Sequence, residues 1–348
     1  MRILVHEFFS GGGLAGRDIP ASLAREGAAM LTALIADLAA IDGHQIVTTV
    51  DPRFSLSVPA GVEVVTVKGT RGTFLNTLLS SVDAAWLVAP ETDRCLERLT
   101  ARAERKGIAL LGCGSAAIRR ASDKAALPRL LARVGVPHPE TRVIDPSREN
   151  WKVDVKIAAR ELGYPIVVKP VRGAGCEGVS LARDARALRQ AIARARQADG
   201  RARLVLQRYV RGVAASVSLV ADGRRAVALT TNAQSMRIEG TSSRPFAYCG
   251  GATPLDHALA RQAAEEAVRT CEAIPGLRGY IGVDLVLTSS EAVVIEVNPR
   301  LTTAYLGVRA ALEDNVAAMA IAACAGRLPE ASRAYRSVRF STAGRITS

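Results

Sequence analysis

Residues 293–305, VVIEVNPRLTTAY, place the tightest constraint on how this chain folds. Val293, Val294 and Ile295 open the stretch as a buried strand opens, and Glu296, Asn298 and Arg300 then take every second position. Side chains alternate faces along a strand, so the three polar groups project one way while Ile295 and Val297 project toward a core. A carboxylate, an amide and a guanidinium converging at one strand end are costly to desolvate unless a ligand there needs them. A preceding strand, YIGVDLVLT at 280–288, is joined to this one across the short turn SSE, which forces the two to pair antiparallel. Asp284 is thereby brought beside Glu296 and Asn298. Three oxygen ligands at one point suit a hard divalent cation, Mg²⁺ or Mn²⁺, which takes one or two carboxylates together with substrate phosphates. The bland alternative is a surface ion pair between Glu296 and Arg300. It would contribute little and leaves Asn298 and the flanking apolar residues unexplained.

A second constellation is VVKPVRGAGCEGVSL, residues 167–181. Lys169 ends an apolar strand, and Gly173, Gly175 and Gly178 follow in a loop. Such a loop lays backbone N–H groups along a phosphate chain while the lysine supplies a point charge. It is neither a P-loop, because the lysine precedes the glycines, nor a dinucleotide fingerprint, because a strand and not a helix follows. Taken alone, an ordinary hairpin turn explains it equally well. Cys176 reads as a small filler, since no neighbouring base would make it a nucleophile.

The first third alternates strand-like and helix-like segments. RILV (2–5), QIVTTV (45–50), VEVVTV (62–67), AAWLVA (84–89) and IALLG (108–112) read as strands, with helices at about 20–40 and 91–106. That alternation implies a parallel sheet covered by helices. From Ser115 the pattern changes. A helix follows Ser122–Asp123 and ends at 135–137, strands fall at 164–170, 178–182, 204–210, 215–221 and 225–232, and a helix spans 184–198. The stretch 233–253 reads as a long irregular segment, a binding loop or lid; helices are expected at 254–274 and 305–325.

The formal charge of +13 raises a nucleic-acid reading. The basic residues form no run, however, and 4% aromatic content offers no base-stacking surface. No apolar run approaches the roughly 20 residues that span a bilayer. The start, MRILVHEFF, is broken too early for a signal segment. Six cysteines are scattered without a CxxC pair, so a reduced, cytoplasmic protein is expected.

Lys124 in SDKAAL, Lys169, the glycine loop, Asp284 and Glu296–Asn298–Arg300 follow an order that resembles the ATP-grasp superfamily. The resemblance implies an α/β chain: a parallel-sheet pre-ATP-grasp domain at 1–113, then an ATP-grasp fold of two α+β subdomains at 114–341, with a lid at about 137–205. It implies ATP and Mg²⁺ as cofactors, with Asp284, Glu296 and Asn298 holding the metal. Lys124, Lys169, Gly173, Gly175 and Gly178 would contact the phosphates, Gln207, Arg208, Tyr209 and Val210 the nucleotide, and Arg300 with Lys169 the transferred phosphoryl group. One departure stands out: Arg208, Ala214 and Ala215 occupy positions where many relatives carry ribose-binding acids. HEFFSGGG at the start, Asn232 and Gln234 of TTNAQ, YCGGATP and NPRLTTAYLG further resemble the tyramine–glutamate ligases of methanofuran and methylofuran biosynthesis. This implies amide formation from L-glutamate and tyramine or a tyrosine-like amine. Another amino-acid or polyglutamate ligation is the alternative. The expected partners are small-molecule carboxylate and amine substrates, with no nucleic acid, no membrane and a homodimer left open. Candidate substrate residues are His6, Glu7, Gly11, Gly12, Gln234, Arg237, Tyr248, Thr302, Thr303 and Tyr305, with Phe8 and Phe246 as further aromatic candidates. His6 and Glu7 qualify because the carboxyl end of a parallel strand faces the ligand crevice.

Overall fold

The structure is a computed structural model that describes residues 1–67, 71–198, 203–238, 243–330 and 334–348. In its first part β1 (Arg2–Glu7), β2 (Gln45–Val50), β3 (Glu63–Thr66), β4 (Ala84–Val88) and β5 (Ala109–Leu110) form a parallel sheet ordered β3-β2-β1-β4-β5. Ile3, Leu4 and Val5 at its centre are fully buried, because helices cover both faces and both must be apolar. The covering helices are α1 (Ala21–Ala39), α2 (Arg71–Leu79) and α3 (Cys95–Arg105). The sequence reading had no element at 71–79.

Beyond α4 (Ser115–Ala121) and α5 (Leu127–Arg133) the sheet becomes antiparallel. Its strands are β6 (Thr141–Ile144), β7 (Ile166–Pro170), β8 (Ser180–Ala182), β9 (Leu204–Arg208), β10 (Val213–Asp222), β11 (Ala226–Ile238), β12 (Ser243–Thr253), β13 (Arg278–Leu287) and β14 (Ala292–Asn298). The order is β14-β13-β10-β11-β12-β8-β7-β9-β6, with β15 (Val338–Ser341) added to β12 and β16 (Ile346–Thr347) to β15. Helices α6 (Trp151–Leu162), α7 (Ala185–Ala198), α8 (Ala260–Glu272), α9 (Tyr305–Ala311) and α10 (Val316–Cys324) pack around it. Strand β12 joins the two halves, pairing β11 through Phe246–Ala252 and β8 through Ser243–Pro245.

Two apolar cores tie this sheet to the first. One packs Leu31, Leu34, Ile35 and Leu38 of α1 against Val308, Val316 and Ala320 of α9 and α10. The other joins Val217, Val283 and Val294 of the antiparallel sheet to Leu96, Ile118 and Leu131. Helix α10 therefore stands between the sheets and fixes how their strand ends meet.

Two expectations are corrected here. The segment 233–253 is not irregular: it is the end of β11 and the whole of β12, a long antiparallel pair, and 239–242 between them lie outside the described residues. The helix expected at 305–325 is two helices, and Asn315 caps the second by accepting from the Ala318 N–H at 3.0 Å. Residues 199–202 of the expected lid lie outside the described residues. Among the described residues no helix is long and apolar enough to cross a membrane.

Candidate active site

The β13–β14 register sets Asp284 directly opposite Glu296 and Gly282 opposite Asn298. Opposed residues of an antiparallel pair share a face, so Asp284, Glu296 and Asn298 converge. Asp284 Oδ1 accepts from Gln234 Nε2 at 2.8 Å and Oδ2 from Asn298 Nδ2 at 3.0 Å. Lys124 Nζ lies 3.3 Å from Glu296 Oε2 and donates to the Gly173 carbonyl at 2.8 Å, which ties the glycine loop to the cluster. Burial, and then the facing Glu296, push the Asp284 carboxyl well above the ordinary range. Burial acts the same way on Glu296, but Lys124 and Lys169 outweigh it and hold that carboxyl down. Burial brings the Lys169 ammonium down to about 8 against the pull of Glu296.

This donor set fits a hard divalent cation: two carboxylates and an amide oxygen, with no sulfur or imidazole among them. Among the described residues no group of three or more His, Cys, Asp or Glu side chains is arranged to hold a metal ion by itself. Substrate phosphates would complete the shell.

A cleft of about 410 Å³ opens from this cluster between the β7–β9 layer and the β10–β14 layer. Lys124, Lys169, Gly173, Gln207, Tyr209 and Val210 line it, as do Gln234, Asp284 and Glu296; Met236, Ile238 and Phe246 add an apolar wall. Gln207 Nε2 is held by Thr141 Oγ1 at 3.0 Å. Arg208 lines the cleft as well. Its guanidinium reaches Glu140 Oε2 at 2.6 Å near the surface, and its N–H donates to the Glu140 carbonyl at 2.9 Å. The Tyr209 N–H is likewise taken by the Pro165 carbonyl at 3.1 Å. Of the loop, Gly175 (φ 62°) and Gly178 (φ 71°) take left-handed backbone, which no side chain adopts cheaply. Cys176 shares that conformation, and burial followed by Glu296 and Asp284 pushes its thiol up to about 12. It is no nucleophile at neutral pH.

A second cavity, about 730 Å³, lies over the carboxyl ends of β1 and β4. Ala174 and Glu177 line both spaces, so the glycine loop is the partition between them. His6, Glu7, Gly11, Gly12, Gly175 and Arg300 line this second one. His6 Nδ1 is bonded to Thr49 Oγ1 at 2.7 Å. Glu7 is a brace more than a ligand group: its oxygens accept from Ser10 N–H and Oγ, both at 2.7 Å, and from Phe9 N–H at 3.1 Å. At Gly11 a Cβ would sit 2.3 Å from the Glu7 carbonyl, so the turn itself requires the glycine.

Arg300 crosses from β14 to the parallel sheet and donates from Nε and Nη2 to both oxygens of Glu91, at 2.9 and 3.0 Å. Beside it Thr303 Oγ1 donates to Glu26, a cavity-lining carboxylate of α1 that burial pushes up. Neither Glu26 nor Glu91 was singled out from sequence. Each lies in an ordinary-looking segment of the first domain, and only the packing of the two sheets brings it to Arg300.

Three substrate candidates are placed elsewhere. Tyr305 is fully buried in the core, its hydroxyl donating to Asp37 Oδ2 at 2.5 Å, so it forms no substrate slot. Met236 and Ile238 line the cleft, and strand alternation turns the intervening Arg237 to the opposite, exposed face. Thr302 borders neither cavity and packs on Gly282, where a Cβ would come within 2.6 Å of its methyl group. Tyr248 pairs with Met236 and is half-buried, burial and then Asp284 raising its phenol well above the ordinary value.

An antiparallel grasp of two layers over a lysine- and carboxylate-lined cleft, set behind a parallel-sheet domain, defines the class: the chain belongs to the ATP-grasp family. A model of the ATP-grasp domain matches residues 121–304, and one of the pre ATP-grasp 3 domain matches residues 44–118. The chain is similar to the tyramine–L-glutamate ligase of Methanocaldococcus fervens, 30% identical over 237 residues. That match takes in 68% of this chain, which spans 65% of the relative's length. Among solved structures, an ATP-grasp superfamily protein from Archaeoglobus fulgidus superposes with a TM-score of 0.69 at 28% identity, over 97% of this chain and 92% of the other. The biotin carboxylase domain of the Hydrogenobacter thermophilus 2-oxoglutarate carboxylase, in complex with MgADP and bicarbonate, gives a TM-score of 0.75 at 18% identity over 97% and 73%; that likeness is one of fold alone.

Proposed function

We propose that the chain is an ATP-dependent, ADP-forming carboxylate–amine ligase that makes an amide through an acyl phosphate. The donor is L-glutamate through its γ-carboxyl and the acceptor is tyramine or a tyrosine-like amine. The reading also takes residues 1–113 and 114–341 as the two domains and 137–205 as the lid. One observation carries it: the phosphate-type cleft and the cavity over the parallel sheet share the glycine loop through Ala174 and Glu177, and Arg300 and Glu26 line the second.

In this reading the triphosphate lies along Lys124, Lys169 and the loop. A divalent cation held by Asp284, Glu296 and Asn298 supplies charge neutralisation at the phosphates. The donor carboxylate attacks the γ-phosphorus, ADP leaves with the bond pair, and Arg300 holds the transferred group. The amine then attacks the acyl carbon and phosphate departs. Glu26, raised by burial, takes the proton the amine releases. Nearly all of this is positioning and charge placement, which suits a site built of lysines, carboxylates and one arginine. The test follows ADP release and product mass with glutamate and tyramine or tyrosine. ADP release that depends on both substrates, with a product of the amide's mass, supports the reading. Turnover with another pair alone leaves the ligase class and removes these substrates.

A further inference from the structure

The cavity over the parallel sheet carries cationic groups that the reaction above does not use. Arg98 and Arg102 both line it, and at four residues apart on α3 they stand one turn above the other. Neither has a hydrogen-bond or ion-pair partner among the described residues, whereas Arg94 on the same helix is held by Glu97 through Nε at 2.7 Å. Asp18, Asp93 and Glu177 border the same cavity, yet none lies at ion-pair distance from either guanidinium. Arg102 is near enough to His6 that its charge, after burial, helps bring that imidazole down to about 4, so His6 stays neutral and adds no competing charge.

The apolar lining is aromatic. Phe8 and Phe9 meet edge to face with ring centroids 5.4 Å apart, and Phe74 joins them in the same cavity, half of the chain's six phenylalanines. Such a wall takes a ring, which prefers this contact to water. Two guanidinium groups at one helical spacing take a planar or tetrahedral oxyanion through paired N–H donors. At about 730 Å³ the space is large for a bare arylethylamine, and it has room for such a group.

We propose that the second substrate of this chain is an aromatic amine that itself bears an anion, a carboxylate or a phosphate, with its ring against Phe8, Phe9 and Phe74 and its anion on Arg98 and Arg102. This deepens the ligase reading and rests on it. It sets the chain apart from a preference for tyramine, which carries no anion.

The experiment uses the full chain with ATP, Mg²⁺ and glutamate, and compares tyramine, tyrosine and tyramine O-phosphate as acceptors by ADP release and product mass. The expected result is that tyrosine or the phosphate exceeds tyramine by about tenfold or more in kcat/KM, mainly through KM. Which of the two leads tells carboxylate from phosphate. In R98A/R102A the ratio of anionic to neutral acceptor falls toward one, while R98K/R102K retains part of it. Tyramine equal to or better than both, or a ratio unchanged in R98A/R102A, overturns the proposal and leaves the ligase reading standing. If no acceptor gives product, the assignment of glutamate with an aromatic amine fails instead. Calorimetric titration of tyrosine, tyramine and the phosphate into both proteins then decides this proposal: tighter binding of an anionic amine, lost in R98A/R102A, upholds it, and equal binding sinks it.

Discussion

Arg300 and Glu91, 209 residues apart, form a two-pronged ion pair at 2.9 and 3.0 Å that joins the end of the metal-type strand to the parallel sheet. A third donor, Nη1, is taken by the Leu301 carbonyl at 3.1 Å, so Nη1 and Nη2 each keep one N–H for a ligand. Glu91 is 3% exposed; burial opposes the Arg300 charge, and Glu91, together with Glu26 and Glu296, more than offsets it. Glu91 is a positioning residue. Glu91→Gln should lower kcat about 10- to 100-fold by letting Arg300 drift while KM for ATP stays within a few-fold. Steady-state kinetics at saturating ATP checks the split, and an equal loss in both parameters counts against positioning.

Glu296 faces both lysines and Asp284. Glu296→Gln keeps the shape and removes the charge, and activity should fall on the order of 10³-fold. The melting temperature should fall as well, because Lys124 and Lys169 lose the carboxylate that compensates their burial. Near-normal ADP release from a folded variant would remove Glu296 from the phosphate site.

Tyr305 and Arg237 give the opposite expectation. Tyr305→Phe deletes a bond to Asp37, which keeps Arg309 at 2.6 Å, so stability should drop by about 1–2 kcal/mol without a change in kcat/KM. Arg237→Ala should leave kcat/KM unchanged. Thermal melts beside kinetics distinguish the cases, and a large kinetic loss in either variant would return that residue to the site.

His6 supplies a pH signature. Its folded pKa is about 4 against an ordinary 6.5, burial being the main cause and Arg102 the lesser. The unfolded chain therefore takes up this proton first as pH falls. The contribution is fully present above 6.5 and is lost between 6.5 and 4, by about 3 kcal/mol at most. His6→Gln should flatten that part of the stability profile measured by denaturant titration. A profile as steep as the native one would show that His6 does not govern it.

The sequence alone determined what local rules can reach. Asp284, Glu296 and Asn298 were legible as neighbours because a short hairpin brings their strands together, but an irregularity between Asp284 and Leu285 sets Asp284 opposite Glu296 and leaves Ile295, expected in the core, on the cleft. The parallel sheet was legible as buried apolar runs spaced by helices. Tertiary structure decided the rest. Tyr305 sits in an apolar stretch that suits a core and a substrate slot equally, and the packing of α1 on α9 chose the core. Arg237 and Met236 differ by one residue and lie on opposite faces, and only the packing of the strands shows that the cleft takes Met236. Glu26, Glu91, Arg98 and Arg102 carry no motif. They come to the site because two sheets dock through shared cores, and contacts between residues hundreds of positions apart depend on that docking and not on any pattern along the chain.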